Sequence, residues 1–199
     1  MKNLISACVM LTLALMLAMV MPTEAEAMIY EDTLRLHILA PSDSKEDQAL
    51  KLEIRDRVLC EYGERLSECE DIASAEETAK RLLSDIERDV SAWIKEEGYS
   101  YGATVTLTEE WYDTREYDGF TLPKGIYTSL RIIIGEGEGK NWWCIMYPPL
   151  CLDVATEKAP ADDALLDYTG EETRLIKSGK YNIKFKLLEI FSDAFSRNR

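Results

Sequence analysis

Histidine and positive charge are scarce in this sequence of 199 residues. His37 is the single histidine, and 23 Lys and Arg residues are outnumbered by 37 Asp and Glu residues, which gives a net charge of −14. A nucleic-acid partner needs a basic face that displaces counterions, and the chain has no such basic cluster. With one histidine and no Cys-x-x-Cys spacing, it also lacks a zinc signature. We therefore expect no nucleic-acid partner, no metal and no other cofactor.

The patterns of two common catalytic sites are missing as well. The glycine-rich segment 135–139, GEGEG, departs from Gly-x-Gly-x-x-Gly, and Lys140 lacks the following Ser or Thr of a P-loop. Glu136 and Glu138 lie in this turn, whereas glycosidases usually draw their two carboxylates from opposite walls of a cleft. We interpret the two glutamates as surface acids.

The N-terminus has the pattern of an export signal. Lys2 is followed by an apolar run over residues 4–21, and Ala25-Glu26-Ala27 fits the small-x-small cleavage pattern. We predict a signal peptide over residues 1–27, cleaved after Ala27, and a mature domain over residues 28–199. An uncleaved membrane anchor is the alternative, because an apolar run of 18 residues is just long enough to span a bilayer.

Export changes what the cysteines indicate. Cys8 lies in the predicted signal peptide, and four cysteines remain in the mature domain: Cys60, Cys69, Cys144 and Cys151. An even number in an oxidising compartment predicts disulfides. We predict a bond between Cys144 and Cys151, because this pair closes a short loop and Pro148-Pro149 turns the chain between the two residues.

The other two cysteines pair only under a condition. A continuous helix would hold Cys60 and Cys69 about 13 Å apart, so a bond between them requires a break near Gly63. The predicted disulfide at Cys144 also argues against a thiol nucleophile with His37 as its base, since cysteine hydrolases need a free thiolate and a positioned imidazole. We predict that the chain is not an enzyme.

Periodicity predicts a strand and two helices in the first half of the domain. Leucines alternate with polar residues over Thr33–Ala40, which is typical of a half-buried strand. Ser42–Ser44 supply a stop and an N-cap for a helix over about Lys45–Tyr62. The capping-box pattern of Ser74–Glu77 opens a second helix, and Gly98 ends it.

The second half of the domain predicts strands. ATVTLT, GIYTSLRIII and NWWCIMY are rich in β-branched and aromatic residues and are separated by turn residues. The polar stretch Thr156–Lys177 predicts a loop with one short helix, and YNIKFKLLEIFSDAF a strand passing into a helix or a single helix. Together these elements predict one compact α+β domain, with a small, mainly antiparallel sheet packed against two or three helices.

The segment NWWCIMY is apolar on both faces of its predicted strand. Alternation places Trp142, Cys144 and Met146 on one face and Trp143, Ile145 and Tyr147 on the other. The strand is therefore either central and covered on both sides, or one face awaits a partner. Trp and Tyr serve protein-binding hot spots as well as sugar platforms, so both kinds of partner stay open.

Two long segments resemble the stage II sporulation protein R family. LRLHILAPSDSKEDQALKLEIRDRVL, residues 34–59, is similar to the family's Leu-Arg-x-x-Ile-Leu-Ala-Asn-Ser-Asp-Ser signature and its continuation. Residues 122–151 are similar to the segment that contains Gly-x-Gly-x-Asn-Trp-Trp-Cys and ends in Pro-Pro-Leu-Cys. KFKLLEIF resembles the C-terminal helix. Departures from the pattern are Pro41 in place of Asn, and Ile145 and Tyr147 in place of Val and Phe.

The resemblance implies a secreted signal of endospore formation. Members of the family are made in the forespore and exported into the space between the forespore and mother-cell membranes. There they trigger a membrane-embedded protease of the aspartic type in the mother-cell membrane, which processes the precursor of the mother-cell sigma factor. An exported peptidoglycan-binding module, with tryptophans stacked on sugars, is the alternative.

Two surfaces are candidates for contact with the partner. The first is aromatic and consists of Trp142, Trp143, Tyr147, Pro148 and Pro149. The second is the charged helix face of Asp43, Asp47, Arg55 and Asp56, for which an ordinary solvated face with ion pairs is the competing interpretation.

Overall fold

The computed structural model describes residues 2–18, 24–117, 120–149 and 168–179. Its helices are α1 Lys2–Ala18, α2 Glu24–Glu31, α3 Lys45–Ser67, α4 Ile72–Glu96 and α5 Gly170–Ser178. Its strands are β1 Leu34–Leu39, β2 Ala103–Tyr112, β3 Arg115–Tyr117, β4 Phe120–Leu122, β5 Gly125–Ile134 and β6 Asn141–Tyr147. The predicted α+β class is confirmed, and the short helix predicted within Thr156–Lys177 corresponds to α5. YNIKFKLLEIFSDAF lies outside the described residues.

The main sheet has the strand order β2-β5-β1-β6. β2 and β5 are antiparallel, as are β1 and β6, but β1 and β5 are parallel. The sheet is therefore mixed, and the prediction of a mainly antiparallel sheet missed its central pairing. Parallel neighbours need a long crossover connection, and α3, α4 and β2 lie in the chain between β1 and β5. β3 and β4 form a separate antiparallel hairpin.

The central strand β1 is buried along all six residues, so the prediction of a half-buried strand is wrong. Leu34, Leu36 and Ile38 belong to the hydrophobic core with α3 and α4. Arg35 and His37 point to the other face of the sheet, but aromatic side chains cover them there. Polar residues at alternate positions therefore mark a buried polar layer in this strand.

The two long helices pack on the leucine face of β1. α3 is capped by Ser44, whose side chain accepts a hydrogen bond from the Asp47 amide, and it continues through Gly63 to Ser67. Buried Tyr62 next to the glycine anchors this extension in the core. α4 begins earlier than predicted, because its capping box joins Asp71 with Ser74 instead of beginning at Ser74.

Helix α1 precedes the predicted signal boundary, and helix α2 spans it. The predicted cleavage after Ala27 falls inside α2, and the next residues pack on the domain: Ile29 is fully buried, and the Tyr30 ring meets Tyr127 edge-on at 5.2 Å between centroids. α1 contains the apolar run up to Ala18, and its large apolar side chains from Ile5 to Met16 are exposed. The division at residue 27 stays a prediction.

Among the residues that the structure describes, none of the helices combines the length and the apolar character needed to cross a bilayer.

The glycine-rich turn before β6 is locked to the loop after β1. The Gly139 amide donates to the Ala40 carbonyl at 2.9 Å, and the Lys140 amide donates to Asp43 Oδ1 at 2.7 Å. The Lys51 ammonium donates to the Lys140 carbonyl at 2.9 Å. A Cβ atom on Gly139 would lie 2.2 Å from the Ser42 carbonyl oxygen, so only glycine fits this approach.

We expect Gly139→Ala to lower the free energy of unfolding by about 2 kcal/mol, because the added methyl group must push two backbone segments apart. Gly102→Ala is the matched control, since its Cβ would have no neighbour within 4 Å, and its effect should stay within about 0.5 kcal/mol. Urea unfolding followed by circular dichroism measures both values. Equal stability of the two variants would contradict the interlock of turn and loop.

Candidate partner-binding surface

The two adjacent tryptophans lie on an edge strand. Within the described residues, β6 pairs only with β1, so β1 and not β6 is the doubly covered central strand. Cys144, Ile145 and Met146 are buried, whereas Trp142 and Trp143 are half-buried. The register pairs Trp142 with Ile38 and Trp143 with His37, which places the two indoles on opposite faces of the sheet.

Trp142 meets the first of the long helices. The guanidinium carbon of Arg55 lies 5.1 Å from the centroid of the Trp142 ring, and the guanidinium is paired with Asp56 at 2.7 Å. A cation over an indole face is a favourable contact of about 0.5–1 kcal/mol at exposed sites. Part of the charged helix face and part of the aromatic strand therefore form one surface, although the sequence suggested two.

On the opposite face of the sheet from Trp142, the Trp143 ring contacts a histidine ring and an arginine guanidinium. The His37 ring stacks on it at 5.6 Å between centroids and an interplanar angle of 23°. The guanidinium carbon of Arg115, from the β3–β4 hairpin, lies 3.9 Å from the Trp143 centroid. Arg115 was not among the predicted site residues, because nothing in its local sequence links it to a strand 26 positions away.

A register shift changes the place of Tyr147. Simple alternation puts Tyr147 on the face of Trp143, but the structure pairs Ile145 with Arg35 and Tyr147 with Leu34. This bulge moves Tyr147 to the face of the core leucines, where it is 5% exposed. Pro148 after it is also buried, while Pro149 is partly exposed. The accessible part of the predicted aromatic surface is therefore centred on the two tryptophans.

Asp43 and Asp47 hold the loop at the start of α3. Asp43 accepts the hydrogen bond from the Lys140 amide, and buried Asp47 accepts one from the Ser42 hydroxyl at 2.5 Å. Both carboxylates are thus used inside the molecule, at the end of α3 away from Arg55 and Asp56. A role of Asp43 and Asp47 in contact with a partner stays a prediction, and their internal hydrogen bonds favour the structural role.

A network of polar side chains lies on the same face of the sheet as Trp143. The His37 ring bonds Glu110 Oε2 through Nδ1 at 2.9 Å and Asn141 Oδ1 through Nε2 at 3.0 Å. The Arg131 guanidinium approaches Glu110 Oε1 at 3.3 Å. The single histidine is therefore fixed on both ring nitrogens, which orients its ring for stacking on Trp143.

Arg35 is the fully buried centre of this layer. Its guanidinium carbon lies 3.8 Å from the Tyr112 centroid and 4.9 Å from that of Tyr127, and its Nη2 donates to the Tyr117 hydroxyl at 2.6 Å. Burial raises the pKa of Tyr112 and of Tyr117 above the usual tyrosine range. Tyr117 presents a neutral hydroxyl oxygen to the buried cation, whereas Tyr112 presents the face of its ring.

The structure separates the Cys144 thiol from the His37 imidazole, the pair considered above as a catalytic nucleophile and its base. Cys144 is the register partner of Leu36, whereas His37 is the partner of Trp143, so the two side chains lie on opposite faces of the sheet. Cys144 is also disulfide-bonded. Within the described ranges, no three His, Cys, Asp or Glu side chains are arranged to hold a metal ion.

Comparison with known proteins gives the family. The sequence model described as "Stage II sporulation protein R" matches residues 30–157, more than half of the chain. The chain belongs to the stage II sporulation protein R family. It is 30% identical over 187 residues to the stage II sporulation protein R of Bacillus subtilis strain 168, an alignment that covers 84% of each chain. No solved structure matches it.

The cysteines of this member of the stage II sporulation protein R family divide into two kinds. Cys144 is disulfide-bonded, while Cys60 and Cys69 carry free thiols on either side of the end of α3. Because α3 continues through Gly63, the condition for a bond between Cys60 and Cys69 is not met. Cys151 lies outside the described residues, so its pairing with Cys144 stays a prediction.

We expect the folded, oxidised domain to react with maleimide at Cys60 first, because this thiol is exposed. Cys69 should react more slowly, since its side chain is partly buried and its thiol contacts the Arg65 carbonyl at 3.4 Å. Cys144 should stay unlabelled until a reductant is added. Mass spectrometry of tryptic peptides measures each site, and labelling of Cys144 without reductant would contradict the bond.

Proposed function

We propose that this protein is an exported signal of endospore formation that activates a membrane-embedded protease of the aspartic type in the mother-cell membrane. Activation leads to processing of the precursor of the mother-cell sigma factor. Membership of the stage II sporulation protein R family supports this role. The apolar N-terminal helix α1 supports export from the forespore into the space between the two membranes.

The main observation in support of a binding role is the pair of half-buried tryptophans, each with an arginine over its ring. Trp142 and Arg55 lie on one face of β6, and Trp143 and Arg115 lie on the other. Trp and Arg are the residue types most enriched in binding hot spots, where they are strongest when a partner removes the remaining solvent. We assign the Trp142 side, with Arg55 and Asp56, as the main contact with the protease.

Such a contact activates the protease by a shift between two states. A ligand changes an equilibrium only by the difference between its affinities for the two states. This domain would therefore bind the active form of the protease more tightly than the inactive form. No chemistry is required of the bound domain, so the role needs a surface and not a catalytic site.

Peptidoglycan binding receives less support from the geometry. Sugar platforms expose the flat face of an aromatic ring, but Arg115 lies 3.9 Å over the Trp143 ring and His37 stacks on it. Arg55 takes a similar position over Trp142. Retention on purified peptidoglycan would favour the wall-binding alternative, and co-purification with the protease would favour signalling.

We expect Trp142→Ala to reduce processing of the sigma-factor precursor in sporulating cells by about tenfold, because it removes the centre of the proposed contact. Arg55→Ala should act in the same direction with a smaller effect. Immunoblotting of the precursor and the processed form measures the activity, and thermal unfolding of the purified variants checks the fold.

Trp93→Ala is the matched control for this experiment. Trp93 is also a half-buried tryptophan with an arginine nearby, since Arg57 lies 6.0 Å from its centroid, but it belongs to α4. Processing should persist in this variant if the domain folds. If processing also persists in a folded Trp142→Ala variant, Trp142 is only a packing residue and the assigned contact is wrong.

A further inference from the structure

The outer edge of β2 is a second surface with the features of a binding site. In the described part of the chain, β2 is a terminal strand of the sheet and pairs only with β5. The pairing covers all ten residues of β2 without a register shift. Natural edge strands are often protected by a bulge, a proline or charged side chains, lysine above all. β2 has no bulge, proline or lysine, and its charged residues are Glu109 and Glu110.

The Val105 amide shows which backbone groups of β2 point outward. It donates to Glu87 Oε2 on α4 at 2.9 Å, away from β5. Outward groups of an antiparallel edge recur at every second residue, so those of Leu107, Glu109 and Trp111 point the same way. A carboxylate caps one end of the edge, and the following positions offer a row of groups that a further strand can pair with.

Apolar surface lies at the far end of this row. Trp111 is 61% exposed and Ile126 is 54% exposed, and the two are cross-strand partners in the β2–β5 register. At the Val105 end, an open cavity of about 440 Å³ is bordered by α4 and includes Leu83 and Glu87 in its wall. Trp111 lies six positions after Val105, a distance of about 20 Å along a strand.

The charges around the edge favour a basic occupant. Glu87 and Glu109 border it, and the cation of the cavity wall, Arg88, is already paired with Asp85 at 2.5 Å and Asp89 at 2.9 Å. A second copy of this chain would bring another net charge of −14 to the same acidic edge. Charge complementarity therefore favours a segment that carries Lys or Arg.

We propose that the outer edge of β2 binds an extended segment of the protein partner in which apolar and basic residues alternate. The segment adds a strand next to β2: backbone hydrogen bonds at Leu107, Glu109 and Trp111 supply affinity, and its apolar side chains cover Trp111 and Ile126. The identity of the partner rests on the proposed function, which makes it the membrane protease.

Glu109→Pro tests the backbone pairing directly. Proline removes the outward N–H group but is tolerated at a sheet edge where that group does not pair with the neighbouring strand. Glu109→Ala is the matched control, because it removes the same carboxylate and keeps the N–H. We expect Glu109→Pro and Trp111→Ser to weaken binding of the full exported chain to the detergent-solubilised protease by about tenfold, and Glu109→Ala by less than about threefold.

Biolayer interferometry measures the affinities, and circular dichroism checks that each variant folds. If a folded Glu109→Pro variant binds the protease as tightly as the wild-type chain does, the edge proposal is overturned. If only Trp142→Ala loses affinity for the protease, the edge proposal fails but the proposed function stands. If the unchanged chain does not bind the protease, the proposed function fails together with the partner named here.

Hydrogen exchange of the unbound full chain tests the other occupants. We expect the amides of Leu107, Glu109 and Trp111 to exchange rapidly without the partner and slowly in the complex. Slow exchange in the unbound monomer would mean that residues 180–199 or another part of this chain already occupies the edge. Slow exchange that appears only with concentration-dependent dimerisation would mean that a second copy occupies it. Either result overturns the proposal.

Discussion

The burial of a positive charge at the centre of the sheet is the constraint on which the rest of the structure depends. Arg35 is fully buried, and a buried cation is costly unless polar or aromatic groups surround it. Tyr112 and Tyr127 lie against its guanidinium, and Tyr117 accepts its hydrogen bond. The second face of the sheet must therefore be covered by tyrosine side chains of β2 and β5 and by the small hairpin, although that hairpin has only three residues in each strand.

This cover also creates the environment of one tryptophan. The hairpin that brings Tyr117 to Arg35 brings Arg115 to Trp143, and the same layer fixes His37 against the indole. Trp143 is thus held by a network that is itself part of the fold. Substitutions in this layer would change the position of the Trp143 ring, on the face of β6 opposite to the assigned contact.

Local patterns were sufficient to predict most elements of this fold but not their arrangement. Alternation located β1 but indicated a half-buried strand, because a polar residue such as Arg35 follows the same pattern whether it faces water or a buried polar layer. The parallel pairing of β1 with β5 leaves no mark in the alternation of either strand. The bulge before Tyr147 depends on packing against β1 and reverses the face that simple counting assigns.

The candidate site could be predicted only in part for the same reason. Trp142 and Arg55 were each identified from sequence, but their contact joins positions 87 apart and needs the packing of α3 on the sheet. Asp43, like Arg55, is a charged residue near α3, but its carboxylate accepts a hydrogen bond from the turn before β6. Residue type identified the groups available for binding, and only tertiary structure separated those that face outward from those that hold a loop.

The placement of the two indoles on opposite faces of one edge strand has a consequence for the shape of any partner. A flat surface that buries Trp142 lies on the α3 side and leaves Trp143 out of reach, and the reverse holds for a surface on the hairpin side. A partner that buries both must have a cleft that receives the edge strand β6 and contacts both of its faces. Contact on two faces fixes the orientation of the domain relative to the partner as well as its position.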